Sequence, residues 1–161
     1  CLPKDIGNYN ALISGDYTQL TNSVKEFLES IEYQGFANFD FKYDARDGLF
    51  KVFEINLRQG RSSMYMTYAG NNFVKYLVND VIYNEEQPYY NHIKEHLWYL
   101  TDKHTLRKYA PDSLKETVNR LLDEKKANFG LDYASDSNLK RRILSFRRKF
   151  STYRYYPKYM D

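Results

Sequence analysis

Apolar residues recur along this chain with two different periods, and the switches between them outline its elements. Residues 9–14 (YNALIS) read as a short strand that Gly15-Asp16 ends. Leu20, Val24, Phe27, Leu28 and Ile31 then fall at offsets of 0, 4, 7, 8 and 11, which predicts an amphipathic helix. Thr21 or Asn22 is its expected cap and Gly35 its expected stop. Residues 36–43 (FANFDFKY) are aromatic and largely alternating, the mark of a strand. Asp44-Ala45-Arg46-Asp47-Gly48 is rich in turn formers, and residues 49–57 (LFKVFEINL) read as a second strand. The three segments together predict a β-hairpin. Residues 58–63 (RQGRSS) form a polar loop, and a helix follows Gly70 with Phe73, Tyr76 and Leu77 on one side.

Past residue 84 the pattern changes. Asn84-Glu85-Glu86-Gln87-Pro88 is a break, and the apolar run 93–100 fits either period. Residues 112–125 predict a helix capped by Asp112 or Ser113, with Leu114, Val118, Leu121 and Leu122 inside. Asp136-Ser137-Asn138 is a cap for a last helix. Its apolar stripe, Leu139, Ile143, Phe146, Phe150 and Tyr153, is expected to face inward. The expected fold class is α+β. An antiparallel sheet contains the hairpin, is packed by helices over 20–33 and 71–79, and leads into a mainly helical extension. The expected boundary lies between residues 1–84 and 85–161.

Composition narrows the class. The chain has 161 residues, 42% apolar and 28% charged, which excludes a disordered chain, a collagen and a disulfide scaffold. No apolar run approaches the roughly 20 residues a membrane helix needs, so no membrane partner is expected. The single cysteine, Cys1, rules out an internal disulfide and fits a reducing, cytoplasmic compartment. The chain opens at Cys1 and not at Met, and reads as a piece of a longer polypeptide. Its charge is uneven. Residues 139–161 hold 8 Lys or Arg and one acid, whereas residues 1–138 hold 16 bases and 20 acids. A mildly acidic body therefore carries a basic end.

The hairpin is where chemistry shows. Alternate strand residues share a face, so Asp40 lies with Asn38 and Lys42, and Glu54 lies with Asn56. A three- or five-residue loop pairs positions whose numbers sum to 92, and Asp40, Glu54 and Asn56 then point the same way. A two-residue loop sends Asp40 to the opposite face, and a bulge alters the count. The turn residues favour the longer loop. Two carboxylates and a carboxamide make an all-oxygen cluster suited to a hard cation such as Mg²⁺. Arg58 and Arg61 follow, with guanidinium groups matched to phosphate and carboxylate. A charged face in water with two surface arginines is the other reading, and composition alone favours it.

The order of residues in GFANFDFKYDARDGLFKVFEINLRQGRSSMYMTYAG changes that weighting. It resembles the C-terminal half of ATP-grasp ligases, in which an acid-bearing strand precedes a strand with Glu-x-Asn. The nearest likeness is to carbamoyl-phosphate-synthase-like and D-aspartate-ligase-like carboxylate–amine ligases. The likeness covers about residues 5–80, within a C-terminal half-domain spanning 1–84. Leu57 stands where many members have Pro. Asn38 stands where D-alanine ligases have Arg, which argues against that branch.

The resemblance implies a mechanism. Asp40, Glu54 and Asn56 would hold Mg²⁺, with Mn²⁺ as a substitute, against the phosphates of ATP. Arg58 and Arg61 would be catalytic, Arg58 at the transferring phosphoryl group. Arg61, with Ser62 and Ser63, would bind the substrate carboxylate. A small carboxylate and an amine would be the substrates. The N-terminal remainder of the same polypeptide would supply the rest of the nucleotide clamp, so this piece alone is expected to be inactive. A homodimer is compatible with the reading.

Two other signals compete. His92 and His96 have metal-helix spacing, but no third ligand accompanies them, nor does His104 supply one. The basic segment 139–161, interleaved with Tyr153, Tyr155, Tyr156 and Tyr159, suits a non-enzymatic module that binds nucleic acid or another anionic surface. The overall charge of +3 is modest for a nucleic-acid binder, and a solvated helix face is the favoured reading.

Overall fold

A computed structural model describes residues 9–133, 135, and 138 to 160. Cys1, Asp136 and Ser137 lie outside the described residues. In chain order the elements are β1 (Ala11–Ser14), α1 (Thr18–Ser30), β2 (Asn38–Asp44), β3 (Leu49–Asn56), α2 (Met64–Tyr68) and α3 (Phe73–Val81). There follow β4 (His96–Tyr99), α4 (Lys103–Tyr109), α5 (Asp112–Asp123), β5 (Ala127–Phe129), α6 (Leu139–Tyr155) and α7 (Pro157–Met160). The class is α+β, with two small sheets in place of the single expected one. The chain forms two compact units, one from residues 1–15, 64–72 and 93–161, the other from 16–63 and 73–92.

The first unit is organised by β4. The ambiguous run 93–100 becomes a central strand, antiparallel to β1 and parallel to β5. Leu97 and Tyr99 point to one face, where Leu106 of α4, Val118, Leu121 and Leu122 of α5, and Phe129 of β5 close a buried core. The opposite face carries His96, whose ring stacks on Tyr68 of α2 at 5.4 Å, and buried Trp98. A Cβ on Gly130 would come within 2.5 Å of the Trp98 ring, so only glycine lets the chain pass there. Ser14 Oγ donates to the carbonyl oxygens of Lys94 (2.7 Å) and His96 (3.2 Å), tying β1 to the start of β4.

In this unit α6 departs from expectation. Asn138 caps it as predicted, its side chain accepting from the Arg141 N–H at 2.9 Å. The face turned inward, however, is polar. Ser145 and Thr152 are buried, Ser145 Oγ donates to Asp132 at 2.7 Å, and Lys149 Nζ donates to the same carboxylate at 2.9 Å. The Asp102 N–H donates to Thr152 Oγ1 at 3.2 Å, and Asn10 Nδ2 donates to the Tyr156 hydroxyl at 3.1 Å. The apolar stripe lies outside, from 50% exposed at Ile143 to 72% at Leu139. The residues that accept from α6, Asp132 and Asp102, lie in loops between elements, and periodicity on the helix alone does not see them. The caps of the other two helices also shift. Tyr17, with no side-chain bond, precedes α1, and Asp16 Oδ1 accepts from the Thr18 N–H, so neither Thr21 nor Asn22 caps it. The helix stops at Ile31, ahead of Gly35. Pro111 precedes α5 and leaves Asp112 and Ser113 inside the first turn.

The second unit is smaller, and none of its described residues is fully buried. The apolar face of the hairpin meets α1 through ring contacts, Phe27 to Phe39 and Tyr17 to Phe50, each at 6.1 Å. Phe36, just before β2, packs on Phe73 of α3 at 5.6 Å.

His96 provides a pH test of the first unit. Burial lowers its pKa below the ordinary 6.5, partly opposed by a hydrogen bond with Asn128. The unfolded chain therefore takes up this proton first. The contribution is fully present above pH 6.5 and is lost as the pH falls through and below it. Urea midpoints should fall between about pH 7 and about pH 5, and the fall should be smaller in His96→Phe, which keeps a ring on Tyr68.

Candidate functional site

The hairpin turn is built to hold its register. Asp44 accepts a two-pronged bond from Arg46, Nε at 2.9 Å and a terminal nitrogen at 2.7 Å, and a bond from Lys51 Nζ at 2.8 Å. The Arg46 and Lys51 cations hold its carboxyl well below the usual carboxylate range. Lys51 also reaches Asp47 at 2.6 Å. The Gly48 N–H donates to the Asp44 carbonyl at 2.8 Å, and Gly48 sits at φ 71°, a conformation glycine adopts without strain. The turn thus has four residues, 45–48, between paired Asp44 and Leu49.

Four residues give the wrong parity for the proposed cluster, and a bulge restores it. Next to the turn, Phe41 pairs with Val52; beyond the irregularity, Asp40 pairs with Glu54 and Asn38 with Asn56. Phe53 is the extra residue on β3. Asp40 and Glu54 are direct cross-strand neighbours, and directly opposed positions share a face. Asn38 and Asn56 stand beside them as the next polar pair. The second face holds Phe39, Phe41 and Tyr43 opposite Ile55, Val52 and Phe50.

Hydrogen bonds link the polar face to the loop after it. Asn38 Nδ2 donates to Asp40 Oδ1 at 3.2 Å, and Asn56 Nδ2 donates to Glu54 Oε1 at 3.0 Å. The Arg58 guanidinium donates to Asn56 Oδ1 at 3.4 Å and to the Gln59 carbonyl at 3.2 Å. Asp40, Glu54, Asn56 and Arg58 therefore stand together on one side of the hairpin. Arg61, Ser62 and Ser63 lie in the turn that follows. Arg61 is exposed, Ser62 is half-buried, and Ser63 Oγ accepts from Gln59 Nε2 at 2.7 Å. The loop comes back to the hairpin at Gly60, where an added Cβ would sit 2.9 Å from Asn38 Oδ1.

Asn38 and Gln59 are the members that the motif does not single out. Alternation places Asn38 on the right face, but its bond to Asp40 and its closeness to Gly60 appear only in three dimensions. Two like-charged carboxylates held opposite one another repel unless a cation lies between or near them. The donor set is two carboxylates and a carboxamide, all oxygen, which fits Mg²⁺ or Mn²⁺ and not a thiolate- or imidazole-seeking metal. Among the described residues no group of three or more His, Cys, Asp and Glu side chains gathers as a metal site. His92 and His96 share no helix, because residues 84–95 have no regular structure and His96 opens β4.

The chain is similar to an enzyme of assigned function. It is 38% identical to the D-aspartate ligase of Enterococcus faecium (strain Aus0004), over 98% of its own residues. The likeness thus runs well beyond the 5–80 region that carries the motif. The chain spans 38% of that relative's length. No family model and no solved structure matches it.

Gly60 and Asn38 give a direct test of the site's construction. In Gly60→Ala the new methyl displaces the Asn38 carboxamide, the end of a flexible side chain, so stability should change by less than about 1 kcal/mol. Asn38 loses its position over Asp40. Its side-chain NH₂ resonances should shift, and Mn²⁺ affinity should fall about tenfold, as for lost partners of a metal ligand. Unmoved Asn38 resonances would show that the contact does not position Asp40.

Proposed function

We propose that this chain is part of an ATP-dependent ligase that activates a carboxylate as an acyl phosphate and joins it to an amine. The observation that carries the proposal is the pairing of Asp40 with Glu54, beside Asn56 and Arg58. The E. faecium relative's name supports D-aspartate, or a similar amino acid, as the carboxylate substrate. In this reading residues 1–84 form the C-terminal half of an ATP-grasp domain and 85–161 an extension. The N-terminal remainder supplies the rest of the nucleotide site, and ATP in the cytoplasm is the phosphoryl donor.

Asp40, Glu54 and Asn56 would hold Mg²⁺. When bound, the cation neutralises charge on the ATP phosphates as the γ-phosphoryl group moves. Asn38 and the Asn56 amide group keep the two carboxylates oriented before any ligand arrives. Arg58, already turned toward Asn56, offers its remaining N–H groups to the transferring phosphoryl oxygens. Arg61, with Ser62 and Ser63, binds the substrate carboxylate and aims one oxygen at the γ-phosphorus. That oxygen forms the new P–O bond and ADP leaves. The amine then attacks the acyl carbon, inorganic phosphate departs with the C–O bonding pair, and the amine proton passes to solvent. No covalent enzyme nucleophile is needed. Positioning and charge stabilisation supply the catalysis.

Two measurements check the proposal. In the full-length enzyme, Glu54→Gln keeps the side chain's shape but removes one charge facing the cation. Turnover should fall about a hundredfold or more, because metal-borne charge stabilisation is worth several kcal/mol. Stability should move by no more than about 0.5 kcal/mol, since Glu54 is exposed. Near-normal turnover would refute its role. In calorimetric titration, residues 1–161 alone should bind Mg²⁺-ATP only weakly. Micromolar binding, or ATP turnover stimulated by an amino acid, would show that the chain holds a complete site.

A further inference from the structure

Helix α6 presents an apolar stripe to solvent. Leu139, Ile143, Phe146, Phe150 and Tyr153 are all half or more exposed, and the Phe146 and Phe150 rings lie 6.4 Å apart and nearly parallel. At 100° per residue these five fall within one band that runs about 21 Å along the axis. The face docked on the first unit, Ser145, Lys149, Thr152 and Tyr156, lies roughly 110° to one side. Lys140, Arg147 and Arg154, all exposed, repeat every seven residues and form a row roughly 80° to the other side. No Asp or Glu occurs between residues 139 and 155.

Helix stability accounts for Arg154 in the last turn but not for the cations at the start of the helix. Lys140, Arg141 and Arg142 crowd the first turn, where the positive end of the helix dipole disfavours them. The polar contacts with Asp132, Asp102 and Asn10, and the Tyr153 ring against His104 at 5.6 Å, already fix the helix on the body, so the rest of the stripe, with Phe146 and Phe150 at its centre, is open for another use. We propose that the outer face of α6 lies flat on a bilayer containing anionic lipid, with the Phe146–Phe150 stripe entering the headgroup boundary and the Lys140–Arg147–Arg154 row meeting the lipid phosphates. An apolar band flanked by cations, without acids, is the pattern of a helix lying in the interface. The sequence predicts no spanning segment, and none of the described helices is long and apolar enough to cross a membrane. A helix lying on the surface needs no such segment. A second copy is a poorer occupant, because stripe-to-stripe pairing brings two basic rows together. Nucleic acid would use the basic row and leave the aromatic stripe in water.

The test is flotation of purified residues 1–161 with vesicles of phosphatidylcholine containing phosphatidylglycerol, and with phosphatidylcholine alone. The chain should float with the anionic vesicles, weaken with added salt, and stay behind with the neutral ones. Phe146→Ser/Phe150→Ser should lose binding by tenfold or more, in keeping with dependence on buried apolar area. Arg147→Gln/Arg154→Gln should lose about thirtyfold, since each cation near an anionic surface is worth roughly fivefold. Both pairs are exposed, so far-UV circular dichroism should be unchanged. Absence of binding to anionic vesicles overturns the proposal. Vesicle binding indifferent to the Phe146/Phe150 change overturns it too, as does self-association abolished by that change in a chain that ignores vesicles. Tight single-stranded RNA binding that survives the Phe146/Phe150 change, without vesicle binding, would assign the basic row to nucleic acid instead.

Discussion

One extra residue, Phe53, sets which side chains share the polar face of the hairpin. The four-residue turn fixes a register in which a regular ladder would pair Asp40 with Phe53 and send Glu54 to the face of Phe39. The bulge takes Phe53 out of the ladder and brings Glu54 opposite Asp40. Asn56 follows onto the same face, Arg58 reaches Asn56, and the loop can fold back until Gly60 meets Asn38. The tightly bonded Asp44–Arg46–Lys51 turn ensures that the count starts from a fixed point. Register errors of one residue would dismantle the polar face, since a slip exchanges the two sides of the strand.

The two units differ in how deeply their residues are buried. The unit around β4 holds the buried core, with Leu97 and Leu121 fully enclosed. The hairpin unit contains no fully buried described residue and relies on ring contacts along one half-exposed face. Segments with few buried contacts open more readily than a packed core. That suits a ligand site, where side chains must adjust to substrate, and it places few structural demands on Glu54 or Arg58. Substitutions there can therefore be read as chemistry.

Much of this was legible in the sequence. The hairpin and the helix through Leu20–Ile31 follow from period and turn chemistry, and the expected sharing of a face by Asp40, Glu54 and Asn56 agrees with the strand pairing. The route to that shared face differed. The sequence suggested a three- or five-residue loop with a regular ladder, and the chain uses four residues plus a bulge, which no local propensity around Phe53 announces. The strand His96–Tyr99 was ambiguous because a buried central strand has no polar alternation to show. On α6 the apolar stripe was expected inside. It lies outside because Ser145, Lys149 and Thr152 find partners on Asp132 and Asp102, and Asp132 is held below the usual carboxylate range: burial raises its pKa, but the bonds from Ser145 and Lys149 outweigh it. Such partners are fixed by the folded loops and leave no periodic trace.

The central claim, that the bulged hairpin gathers one cation-binding face, can be tested without substrate. Mn²⁺ broadens nearby amide resonances even at low occupancy, so weak binding by an incomplete site still registers. Titrating ¹⁵N-labelled residues 1–161 with Mn²⁺ should broaden the amides of Asn38–Asp40 and Glu54–Asn56 first, while those of Leu97, Leu121 and Phe129 stay sharp. Broadening centred on the Asp44–Asp47 turn, or spread evenly over the acidic surface, would contradict the account.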